Sequence, residues 1–191
     1  MESGINNEKN WLEPILCKAF KKLYEKDQYL IEQGKDLFPN EECGKDDSTG
    51  KKCGHVSERG IVFRFGIYLQ ELAANDERLR DYHIDVEYNR ELNNVKRGND
   101  SQEPDPKKNQ VIPDLIIHKR GNHENNLLVI EFKPHWEMSK KAIEDDKKKL
   151  ATFTNSTYNY KNVLFVLIGK KEAKLFWDIN NLPEAADTQG Q

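Results

Sequence analysis

Apolar residues recur along this chain in two rhythms, one helical and one extended. Between residues 10 and 33, Leu12, Ile15, Leu16, Ala19, Phe20, Leu23 and Tyr24 return at three- and four-residue steps. That spacing predicts a helix with one apolar face. Pro14 is expected in its first turn, where a missing N–H costs little. Residues 57–76 repeat the pattern with Ile61, Val62, Phe65, Tyr68, Leu69 and Leu72. Ser57 is the expected N-cap there, with Glu58 in the first turn. The rhythm then shortens. Residues 82–92 alternate and carry β-formers, which predicts a strand. "VIPDLIIHKR" (111–120) and "LLVIEFK" (127–133) are two further strands, and "GNHENN" between them suggests an antiparallel hairpin. A helix over 139–156 has only a thin stripe of Ala142, Ile143, Leu150 and Phe153. Residues 162–169 read as a buried strand and 171–179 as its partner.

The stretches 34–54 and 93–110 are rich in Gly, Asp, Asn, Lys and Ser and are expected to be polar loops. The tail after Leu182 is expected to fray. There is no internal repeat. The resulting order, α, α, β, β, β, α, β, β, predicts one α/β domain over 1–191 with a mixed central sheet flanked by helices.

Composition narrows the class without naming a function. A chain of 191 residues can bury a real core. With 33% charged residues its surface should be heavily charged, but the net charge of −3 argues neither for nor against a nucleic-acid partner. No apolar run approaches a membrane span, and the opening "MESGINNEKNW" has no signal-peptide core. A cytoplasmic protein without a membrane partner is the expectation. Cys17, Cys43 and Cys53 do not suggest a disulfide scaffold. Cys43, Cys53 and His55 lack the close cysteine pairing of structural zinc sites.

The charged residues inside apolar strands change the picture. Glu131 and Lys133 are two apart, so they share one face of a strand that is otherwise apolar. Asp114 enters the neighbouring strand just after Pro113. Burying one unpaired carboxylate is costly, and two close together raise each other's cost unless a cation intervenes. Mg²⁺ suits such a pair, because it often takes one or two carboxylates with water and substrate phosphate. Lys133 would stand beside it, offering positive charge to a phosphate oxygen or an attacking water. Glu58 extends the core-facing stripe of its helix and could point to the same place. Each residue also has a plain reading: Glu131 and Lys133 as a same-face ion pair, Asp114 as a turn residue, Glu58 as a first-turn acid facing the helix dipole. The conjunction favours the site.

"PD" at 113–114 and "EFK" at 131–133 resemble the signature of the PD-(D/E)XK, or restriction-endonuclease-like, nucleases. "HVSERGIVFRFGIYLQ" from His55, "IDVEYNRELNNVKR" from Ile84 and "PDLIIHKRGNHENNLLVIEFK" from Pro113 resemble an uncharacterised bacterial branch of that superfamily. "DKKKLATFT" (146–154) is similar to the helix that follows the active-site strand there, so the resemblance spans roughly residues 12 to 180. It implies a restriction-endonuclease-like core and a Mg²⁺-dependent nuclease, with Mn²⁺ as a substitute metal and DNA favoured over RNA. Asp114 and Glu131 would be metal ligands, with the Phe132 carbonyl a further one. Lys133 would position or activate water, and Glu58 would support the metal directly or through water. In that branch a Lys or similar residue commonly follows the motif lysine, where this chain has Pro134. The alternative is a nuclease-like fold used as a non-catalytic nucleic-acid-binding or interaction module. A protein partner or a homodimer is also open, since no separate sequence-reading module is visible.

Two features remain undecided in sequence. Residues 133–174 hold ten lysines against five acids, which fits either a phosphate-lined groove or a solvated helix face. Trp136, Tyr158 and Tyr160 could stack on bases, although core or rim positions are commoner for aromatics. His118 and His123 are expected in structural or surface roles.

Overall fold

The computed structural model describes residues 5–31, 57–88, 90–91, 94–95, 111–121, 125–154 and 157–183. The fold is α/β. Strands β1 (His83–Val86), β4 (Leu115–His118), β5 (Asn126–Pro134), β6 (Asn162–Ile168) and β7 (Ala173–Phe176) form one sheet in the order β1-β4-β5-β6-β7. The β5–β6 pair is parallel and the others antiparallel, so the sheet is mixed. Strands β2 (Arg90–Glu91) and β3 (Asn94–Val95) form a separate small hairpin.

Helices α1 (Ile5–Lys26) and α2 (Glu58–Ala73) cover one face of the sheet, and α3 (Lys140–Phe153) covers the other. Side-chain alternation along β5 divides the two layers. Leu128, Ile130 and Phe132 join Leu16, Phe20 and Phe65 on the α1/α2 side. Val129 packs on the other side with Leu150, Phe153, Tyr158 and Phe165. Phe20 stacks on Phe65 with ring centroids 4.2 Å apart, and Phe65 meets Phe132 edge-on at 5.3 Å. These three rings fix α1 and α2 against the strand that carries Glu131 and Lys133. On the far side of β6, Gly169 makes the tight turn into β7. A Cβ there would lie 2.7 Å from the Glu172 carbonyl oxygen, so only glycine fits.

The predicted helices and the five main strands are all present, with shifted bounds. The first helix starts at Ile5 and ends at Lys26, so Pro14 sits inside it and not in its first turn. The lost backbone bond is offset by the buried stripe of Leu12, Ile15, Leu16, Ala19, Phe20 and Leu23. Ser57 does cap α2, accepting a hydrogen bond from the Arg59 N–H at 3.3 Å. The strand expected over 82–92 stops at Val86, because Glu87 takes a left-handed φ of 50°. The Glu87 N–H then bonds to the Asp114 carbonyl at 3.0 Å. Within the expected loop 93–110, Asn94–Val95 is a short strand. Pro134 stays in register with Ile168 as the last residue of β5. The stretch 34–54, with Cys43 and Cys53, lies outside the described residues, as do His55, His123 and the tail from residue 184. Among the described residues no helix is long and apolar enough to cross a membrane.

Candidate functional site

The geometry of the site begins with where pairing stops. Strand β4 pairs with β5 only up to Leu115 opposite Ile130, whereas β5 continues to Pro134. Past Ile130 the β4-side edge of β5 is therefore a notch. Asp114, just before β4, fills its inner corner: Oδ2 accepts the Phe132 N–H at 2.8 Å. A strand residue sends its N–H and C=O to the same edge, so the Phe132 carbonyl faces this notch as well.

Glu131 and Lys133 project from β5 toward α3, in register with Phe165 and Leu167 of β6. They are not a simple pair with each other. Lys133 Nζ lies 3.1 Å from Asp146 Oδ2 on α3 and 3.5 Å from Glu58 Oε2 at the start of α2. Glu131 is fully buried at 0% exposure. Its Oε2 is in ionic contact with Lys149 Nζ of α3, which also stands 3.7 Å from Asp114 Oδ1. Lys149 is the ion-pair partner of Glu131 Oε2, while the buried Oε1 has no hydrogen-bond partner among the described residues. Glu58, Asp114 and Lys149 also line a pocket of about 240 Å³, together with Arg59, Val62, Val86, Glu87 and Ile112. On the rim, Arg59 Nε meets Glu87 Oε1 at 2.5 Å.

The cluster thus joins four carboxyls, Glu58, Asp114, Glu131 and Asp146, to two ammoniums, Lys133 and Lys149. With every group ionised it carries two excess negative charges in a largely buried place. The proton affinities reflect that excess. Burial, then the Asp114 charge, pushes the Glu58 carboxyl up to about 7. Burial, then Asp114, also raises Glu131 well above the usual carboxylate range. Asp146 is raised by burial, against the pull of Lys133. Burial disfavours the charge on Lys133, but Asp146 and Glu58 outweigh it and its pKa rises. Lys149 is likewise held charged, since Glu131 and Asp114 outweigh its burial.

All four side chains expected from sequence therefore converge on one place. Asp146 and Lys149 were not expected there. Their signal is present in the sequence: on the stripe of Ala142, Ile143, Leu150 and Phe153, positions 146 and 149 fall on the same face and are polar. Of the ten lysines in 133–174, Lys133 and Lys149 belong to the cluster, while Lys140, Lys141, Lys148, Lys170, Lys171 and Lys174 are exposed. Tyr158 and Tyr160 are core residues and do not face solvent. Trp136 is half-buried against the α1/α2 core. His118 is buried and structural, with Nε2 2.8 Å from Asp85 Oδ2.

A divalent cation fits this donor set. Two acceptor-rich carboxylates converge on Lys149, and one of them has a buried oxygen without a hydrogen-bond partner among the described residues. Among the described residues no three His, Cys, Asp or Glu side chains form a ready-made cage. Such a cage is the habit of other metals, whereas Mg²⁺ commonly keeps several waters and takes one or two carboxylates. No family model, no curated protein and no solved structure matches this chain.

Proposed function

We propose that this chain is a Mg²⁺-dependent nuclease on a restriction-endonuclease-like core, hydrolysing phosphodiester bonds with DNA favoured over RNA. One observation carries the reading. Asp114 and Glu131, on adjacent strands, converge beside Lys133 in a cluster of four carboxyls and only two ammoniums. An ordinary structural network would be closer to charge balance, since unpaired buried charge is expensive.

In this reading Asp114 and Glu131 hold the metal, with the Phe132 carbonyl and Glu58, directly or through water, completing its surroundings. Mn²⁺ serves in place of Mg²⁺. Such an ion polarises a phosphoryl oxygen and lowers the pKa of a bound water. The protein's own groups do the rest. Asp114 is locked by the Phe132 N–H, so one ligand is preoriented. Lys133, held between Glu58 and Asp146, presents a fixed positive charge to the attacking water and to the oxygens that gain charge in the transition state.

The test is cleavage of single- and double-stranded DNA and RNA with Mg²⁺ or Mn²⁺, with Lys133→Ala as control. Metal-dependent cleavage that Lys133→Ala abolishes supports the proposal. Tight binding of these polymers without turnover under either metal would overturn it in favour of a non-catalytic nucleic-acid-binding module.

A further inference from the structure

The two lysines of the cluster are held differently. Lys133 is clamped between carboxylates from two elements, Glu58 on α2 and Asp146 on α3. Lys149 instead bridges Asp114 and Glu131, the two groups assigned above as metal ligands. Among the described residues no other cation lies within ion-pair distance of either. A dication bound by these carboxylates and the Lys149 ammonium would compete for the same Glu131 oxygen. Like charges that close repel strongly in a buried place.

We propose that Lys149 is an internal counter-cation that offsets one charge of the Asp114–Glu131 pair in the metal-free protein and is displaced when a divalent ion binds. The inference rests on the proposed metal site and adds a residue that regulates its occupancy. Two observations argue that Lys149 can leave. Its side chain is 26% exposed, against 0% for Glu131. It also lines the pocket of about 240 Å³ beside the cluster, so the ammonium has space to enter next to Glu58 and Glu87. A lysine has a flexible four-carbon stem and a compact charge, suited to such exchange. The exchange balances: one ammonium moves off the carboxylates, and the arriving dication supplies the second positive charge they lack.

An internal competitor weakens the apparent affinity by the fraction of time it leaves the site free. If Lys149 occupies the pair for all but about a tenth of the time, neutralising it tightens metal binding about tenfold. The experiment is calorimetric titration of the full chain with MnCl₂, comparing wild type, Lys149→Met and Lys148→Met. Lys148 is the exposed neighbour on α3, and its substitution removes the same formal charge. Lys149→Met is expected to bind Mn²⁺ about tenfold more tightly than wild type, with Lys148→Met within about twofold of it. Thermal melts supply the second readout. Lys149→Met should melt below wild type without metal, and the gap should close in saturating Mn²⁺. If Lys149→Met does not fold without metal, Mn²⁺ should restore it, and Lys149→Gln should show the same tighter binding. Mn²⁺ binding to wild type that is unchanged or weakened in Lys149→Met and Lys149→Gln overturns this inference alone. Absence of Mn²⁺ binding in wild type and in the Lys149 variants overturns the metal site itself.

Discussion

Asp114 Oδ2 accepts the Phe132 N–H at 2.8 Å, closing by a side chain the ladder that the β4 backbone leaves open. One carboxylate oxygen thus does structural work while the other, Oδ1, faces Lys149. Asp114→Asn can keep the acceptor and lose the charge. It should retain the fold and melt close to wild type, yet lose cleavage and Mn²⁺ binding. Asp114→Ala should lose these and also about 1.5–3 kcal/mol of stability, the usual net worth of a hydrogen bond to a charged group. Urea denaturation of both variants separates the two roles.

Asp146 is argued to act through Lys133, which it holds at 3.1 Å. Asp146→Asn should lower cleavage about tenfold by loosening Lys133, less than the roughly 10²–10³ lost when such a stabilising group is removed outright. Mn²⁺ affinity should stay near the wild-type value, since Asp114 and Glu131 are untouched. Parallel measurement of cleavage and metal titration checks this split. Asp146→Glu, which keeps the charge, should recover part of the rate.

The aromatic contact of Phe65 with Phe20 and Phe132 sets the position of β5 against the helices. Phe65 is fully buried. Phe65→Ala should therefore cost about 3–5 kcal/mol, read from the shift of a urea midpoint.

Acid sensitivity should come in part from Asp85. Burial works against its carboxylate, but hydrogen bonds from His118 and Arg120, and their charge, outweigh it and hold its pKa well below the usual range. A depressed carboxyl adds stability that is present above the unfolded pKa of about 3.9 and is lost as pH falls through the folded value. The stability advantage of wild type over Asp85→Asn should be level from about pH 6 to about pH 5 and shrink below about pH 4. Melting temperatures across that range test the sign. An advantage that grows on acidification would contradict it.

What sequence reasoning could reach follows from which forces act locally. Periodicity placed the helices because each buries a one-sided stripe, as with Ile61, Phe65 and Leu69 on α2, whereas near-unbroken apolar runs placed β4, β5 and β6, which are buried on both faces. Glu131 and Lys133 stood out because charge in an apolar strand is rare and costly. Pro14 misled because proline usually opens a helix, and only the tertiary burial of its neighbours explains its interior place. The partners of Glu131 and Lys133 were legible only in part. That Asp146 and Lys149 share the buried face of α3 is a matter of spacing, but their distances to β5 depend on how α3 packs, which no local pattern encodes. The early end of β1 depends on the left-handed Glu87 and its bond to the Asp114 carbonyl, a contact between residues far apart in the chain.

The central claim is that Asp114 and Glu131 hold a divalent ion needed for phosphodiester cleavage. Its most direct test is cleavage of a labelled DNA by wild type and Glu131→Gln, in EDTA and after Mg²⁺ is restored. The account predicts no cleavage in EDTA, recovery in wild type when Mg²⁺ is added back, and none in Glu131→Gln. Cleavage that persists undiminished in EDTA, or in a folded Glu131→Gln protein, would contradict it.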